Sequence, residues 1–306
     1  MWNITRTKPD GEHLGKAVPV FINNFSQHYV TINVFADGAV DVWGFLDLEL
    51  FDKKLQTGWV STAPPNDSRL SVFNLGAATV AKGDWLRSVN DVRDTVWSIV
   101  REFDPTLANV IDMEGSDTRV EGKVLYAKMG LSDACPYRTD ESGNKILGKD
   151  LPLFECDGND FILKRWFIYS DGTSRIGFDG KLTTLEDVYE QLESGHLTTS
   201  THEASWVDIP TLGRFFATDA YWGVDAEQRI LEARDIVTTL QGGQGAIQRC
   251  IKALSQYEEN ANSENKEVLK NAYESVPDHL KMYCGDMDSK DWPIRRILYP
   301  EDDFEG

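Results

Sequence analysis

Few residues in this chain are of types and spacings suited to chemistry. It has five histidines, and two of them, His196 and His202, are followed closely by Glu203 and Asp208. Imidazoles and carboxylates brought together on neighbouring strands can hold a metal ion or exchange protons with a substrate. Were the chain an enzyme or a small-ligand protein, His196, His202, Glu203 and Asp208 would be its catalytic candidates. Their site would lie between two structural units, where concave pockets form. Other signatures are missing: the sequence has no His-Glu-x-x-His pair, no Gly-x-Ser-x-Gly elbow and no cysteine beside a histidine. Gly242-Gly243-Gln244-Gly245 lacks the Lys-Ser/Thr of a phosphate loop and the preceding strand of a dinucleotide site, so it reads as a turn between helices. The carboxylate clusters Asp112/Glu114/Asp117 and Asp286/Asp288/Asp291 lack the alternating ligands, central glycine and terminal glutamate of a calcium loop. The expectation is no cofactor and no resident metal, with the balance against catalysis.

The elements that would position these residues come in two copies. Val18-Pro19-Val20-Phe21 returns as Leu151-Pro152-Leu153-Phe154, Asp37-Gly38 as Asp171-Gly172, Leu75-Gly76 as Leu212-Gly213, and Trp85 as Trp222. Glycine, proline and tryptophan shared in register argue for shared geometry, because each constrains the backbone or is rare. Within each copy, alternating apolar residues predict strands at His28–Ala36 and Phe161–Tyr169, turning at the Asp-Gly pairs. Ala39–Phe45 reads as the returning strand of the first hairpin. A short helix is predicted over 47–56 and again from Thr184 to Gly195. Longer amphipathic helices start at Ser88/Asp91 and Asp225/Gln228, pairs with the spacing of capping boxes. A strand is also predicted at Lys123–Lys128.

The fold class expected is α+β, with two tandem duplicated units and a helical C-terminal extension. Each unit is read as a mainly antiparallel sheet of about five or six strands with its own core, a short helix and a longer amphipathic helix. The boundaries are 1–112 for the first unit, 113–150 for a connecting segment, 151–240 for the second unit, and 241–306 for the extension with its acidic tail. Ala246–Tyr257 and Lys266–Val276 read as helices, and the stretch from Asp291 to Pro300 as irregular chain.

Charge narrows the class of partner. The net charge is −19, of which residues 1–150 carry −5 and residues 151–306 carry −14. Such a surface repels phosphate backbones, so no direct nucleic-acid binding is expected. No apolar run reaches the roughly 18–20 residues that span a bilayer, so no membrane role is expected. Residues 1–6 lack the sections of a signal peptide, and the four cysteines form no close pair. A cytoplasmic location is the expectation.

A basic protein partner fits this charge. The expected function is a non-enzymatic acidic protein-binding module, in the manner of a bacterial immunity protein or inhibitor that neutralises a basic toxin. Glu301, Asp302 and Asp303 would steer the partner. Trp43 and Trp59 would supply buried contact, because the second copy replaces them with Gly177 and His196, so the common core does not demand them.

Overall fold

The computed structural model describes residues 1–8, 11–111, 134–286 and 288–301. The first unit runs β1 (Trp2–Lys8), β2 (Gly11–Asn24), β3 (Ser26–Phe35), β4 (Val40–Asp41), β5 (Phe45–Leu46), α1 (Leu48–Gln56), β6 (Val60–Ser61), β7 (Arg69–Val72), β8 (Gly76–Trp85) and α2 (Val89–Phe103). The second repeats this order, without a strand matching β5, as β9 (Cys135–Thr139), β10 (Lys145–Asp157), β11 (Asp160–Tyr169), β12 (Ser174–Ile176), α3 (Leu185–Glu193), β13 (Leu197–Thr198), β14 (Ser205–Ile209), β15 (Gly213–Trp222) and α4 (Ala226–Leu240). The chain ends in α5 (Ala246–Glu259), α6 (Ser263–Glu274), a 3-10 helix (Asp278–Cys284) and α7 (Trp292–Leu298).

Helix starts follow the local chemistry. Ser88 and Asp91 form a full capping box at α2, and Thr184 and Asp187 form one at α3. Both aspartates are held below the usual carboxylate range, Asp91 by hydrogen bonds from Ser88 and Asp187 by hydrogen bonds from Thr183 first and then Thr184. Asp225 caps α4 through the Gln228 amide, but Gln228 completes no box. Its side-chain oxygen instead accepts the Asp278 amide at 2.7 Å and ties the C-terminal helices to α4.

The two sheets are not separate, which corrects the expectation of one sheet and one core per unit. Ten strands close a ring in the order β2, β3, β7, β8, β15, β14, β11, β10, β9, β1 and back to β2. β4, β5, β6, β12 and β13 add to its rim and flanks. Taken alone, each unit would leave two strand edges unpaired, and edges are templates for association. Closing the barrel removes them. Two seams join the halves, one where β8 meets β15 and one where β1 meets β9.

The pairing has an internal twofold pattern. Gly76 faces Trp222 while Gly213 faces Trp85, with Val80 opposite Ala217 at the centre. The glycines and tryptophans of this pattern are the same ones that the two copies share. A side chain at Gly76 would overlap the Tyr221 carbonyl, and one at Gly213 the Asp84 carbonyl. Both glycines also hold positive φ, at +152° and +129°. The repeated glycines are therefore what lets the seam close.

Side-chain alternation divides the core into layers. Val18, Val20, Ile32 and Val34 face outward beneath α1 and α2, meeting Phe51, Val92, Val96 and Ile99. Leu151, Leu153, Trp166 and Ile168 do the same beneath α3 and α4. The inward residues of both units share one core around the β8–β15 seam, with Phe21 and Phe154, Val72 and Ile209, and Leu75 and Leu212 as equivalent pairs. Full burial of each large side chain here contributes roughly 1.5–3 kcal/mol. The C-terminal helices carry a separate small core of Ala246, Cys250, Leu269, Tyr273, Cys284 and Ile294.

Further differences from expectation have local causes. Part of the expected connecting segment 113–150 is barrel wall, since β9 and the start of β10 lie within it and turn through Asp140 and Asn144. The predicted strand at Lys123–Lys128 lies outside the described residues. The returning strand over 39–45 splits into β4 and β5 around Trp43 and Gly44. Residues 292–298 are helical, because Ile294 and Leu298 are buried in the C-terminal core.

Candidate functional site

The histidine candidates do not converge. His196 is exposed, with Nε2 3.7 Å from Glu155 Oε1. His202 is exposed and packs edge-on against Phe161, with ring centroids 5.1 Å apart. Glu203 is exposed at the approach to β14, and Asp208 is half-buried on it. None of the four lines the cavities between the units. Among the described residues, no group of three or more His, Cys, Asp or Glu side chains is placed to hold a metal.

Asp286 is taken up by its own turn, accepting from the Asp288 and Ser289 amides, and Asp291 accepts from the Tyr273 hydroxyl at 2.5 Å. Asp112, Glu114 and Asp117 lie outside the described residues. At the turn over 242–245, Asp235 Oδ1 accepts the Ala246 amide at 2.7 Å, so the N-terminus of α5 is already met by a carboxylate. Glu301 is exposed beyond α7, whereas Asp302 and Asp303 lie outside the described residues.

Trp43 and Trp59 do come together. Their ring centroids are 6.3 Å apart in an edge-to-face arrangement, and the His28 ring lies 5.0 Å from Trp43. Lys54 on α1 covers Trp59, its Nζ 4.5 Å from the ring centre. His28 is on the outward face of β3, sharing the parity of Ile32 and Val34, so this aromatic group lies outside the barrel. Trp59 is anchored by its backbone: its N–H donates to Lys54 and its carbonyl accepts from Asn23.

Phe25 lies next to this group at the β2–β3 turn. His28 Nε2 is 3.0 Å from Ser26 Oγ and 3.3 Å from the Asn24 carbonyl, the two neighbours of Phe25. Phe25 is fully exposed and Trp43 is 56% exposed. Both also hold left-handed backbone, with φ of 60° and 58°. For bulky residues that conformation costs about 1–2 kcal/mol, and glycine avoids the cost. The second copy places Gly158 and Gly177 at these two positions, with φ of 63° and 71°. His28 and Trp59 are replaced there by Ile162 and His196. The first copy thus keeps aromatic rings in water, at backbone positions that favour glycine.

Sequence reasoning singled out the two tryptophans but missed Phe25. Its signal was available in the offset of 133 that matches Phe25 to Gly158.

The architecture defines an α+β protein whose repeated half-barrel unit closes on its own copy and carries a helical appendage. The chain belongs to the family described as domain of unknown function DUF7638, which matches residues 4–107 and 136–244, and residues 245–304 match domain of unknown function DUF7639. No helix among the described residues is long and apolar enough to cross a membrane. No curated protein and no solved structure matches the chain.

Proposed function

We propose that this chain is a non-enzymatic protein-binding module whose contact face is Phe25, His28, Trp43 and Trp59. The supporting observation is the pair of left-handed aromatics, Phe25 and Trp43, exposed where the sister copy has glycine. Their left-handed backbone costs folding energy that glycine would avoid, whereas exposed aromatics are the usual anchors of protein interfaces. The net charge of −19 favours a basic partner by speeding encounter. A toxin neutralised by a cytoplasmic immunity protein or inhibitor is the kind of partner this reading describes.

The test is capture of a basic partner by the intact protein, followed by affinity measurement across salt concentrations. Trp43→Ala is expected to cost about 2 kcal/mol or more, roughly 30-fold in Kd, with the association rate of the parent protein falling as salt rises. Equal affinity for the parent protein and a Trp43→Ala/Trp59→Ala variant would remove the aromatic face from the interface.

A further inference from the structure

Two adjoining cavities open in the barrel between the units. One, of about 250 Å³, is mainly apolar and includes Pro19 and Tyr29 from the first unit with Leu163, Arg165, Phe167 and Phe178 from the second. The other, of about 360 Å³, is more polar and is lined by Tyr137, Arg138, Thr139, Tyr169 and Arg175. Trp2, Phe167 and Phe178 line both, so an apolar chamber and a polar chamber share a wall.

The charges in these chambers are unequal. Arg165 is paired with Asp150, and Arg138 with Asp171. Arg175 makes no ion pair with a carboxylate among the described residues, although it is half-buried. It packs instead against rings, its Cζ 5.5 Å from the Phe167 centroid and 5.9 Å from that of Tyr169. Arg138 Nε, Arg175 Nε and the Tyr169 hydroxyl are buried without hydrogen-bond partners. Such groups are costly to leave unmet. All three belong to residues lining the polar chamber. Burial raises the Tyr169 phenol above its ordinary range, against the opposing pull of the neighbouring Arg175 and Arg138. Asp179, exposed on the rim, is the carboxylate among the lining residues of the apolar chamber.

The copies differ at this point. Arg175 pairs with Phe167 across β11 and β12, as Asp41 pairs with Asn33 across β3 and β4. A position that is acidic in the first unit is therefore cationic in the second. In a protein of net charge −19, this leaves a local surplus of positive charge inside the barrel beside an apolar chamber.

We infer that this double cavity binds a small amphipathic anion, with a carboxylate or similar oxyanion received by Arg175 and Arg138 and an aromatic or aliphatic body seated against Phe167, Phe178 and Leu163. Guanidinium groups suit oxyanions because they present several donors in one plane. The volume of the apolar chamber falls near the small end of small-molecule sites, about 300–1,000 Å³.

Isothermal titration of the full chain with 3-phenylpropionate and with 3-phenylpropanol tests the assignment, since the two probes share a ring and differ in head group. Saturable binding of the acid, about tenfold or more tighter than the alcohol, is expected from a charge-assisted contact. Arg175→Met should bring the two probes to similar affinity, and Arg175→Asp, which installs the residue type of Asp41, should abolish acid binding. Phe178→Ala, at an exposed position, should weaken both probes alike. The assignment is overturned by an acid that does not saturate at millimolar concentration, by equal affinity of the two probes for the parent protein, or by undiminished acid binding to a folded Arg175→Met variant. Capture of the basic partner through Trp43 is read separately, so either result stands without the other.

Discussion

Single positions in this molecule show where the two copies were kept alike and where they diverged. At Phe25 the first copy holds a large ring in left-handed backbone, fully exposed, while Gly158 holds the same turn in the second. Phe25→Gly should therefore leave stability unchanged or raise it by up to about 1 kcal/mol, because strain relief outweighs the greater freedom glycine gives the unfolded chain. Urea denaturation of the two proteins measures this, and a loss beyond about 1 kcal/mol would mean that Phe25 packs in a way its exposure does not show. Trp43 and Trp59 could be singled out from sequence because tryptophan is rare and easily compared between copies. Arg175 could not, since one arginine in a strand carries no signal until the opposing Phe167 and the cavity behind it are known. The reversal against Asp41 was nevertheless present in the constant offset from Asp37-Gly38 to Asp171-Gly172.

Among elements, the hairpins and amphipathic helices were legible because their causes are local. Asp-Gly turns, capping residues and apolar stripes all act within a few residues. The seams were not legible, since β8 and β15 are separated by more than a hundred residues and nothing in either strand names its partner. The repeated glycines were read as a mark of shared geometry, but the geometry itself, a close backbone approach across a twofold seam, required both strands. Gly76→Ala and Gly213→Ala should each destabilise by more than about 3 kcal/mol, since both combine overlap with backbone and an unfavourable φ. The two losses should be similar in thermal denaturation. A mild effect at one glycine alone would show that the seam is not equivalent on its two sides.

At the scale of the whole molecule, neither half closes without the other. A chain restricted to residues 1–112 would present β1 and β8 as open edges, each paired in the intact protein with a strand of the sister unit. Because the β8–β15 register is itself twofold, a second copy of the same half can offer β8 in place of β15. Sedimentation of that fragment should show a dimer or larger aggregates, and a stable folded monomer would contradict the dependence of each half on the seam. The C-terminal helices add a further tie. Arg229 and Glu232 are buried and pair at 2.6 Å, Arg229 also donates to the Asn74 carbonyl at the turn before β8, and His279 Nε2 lies 3.0 Å from Glu232.

The twofold seam also bears on what happens while the chain is still closing. Any molecule with one half formed can accept the matching half of a neighbour as readily as its own, because β8 offers the same edge to either. Intramolecular closure prevails only while the effective concentration of its own second half exceeds the free concentration of other chains. Refolding at high protein concentration should therefore divert material into exchanged dimers, whose strands would make the same pairs as the monomer.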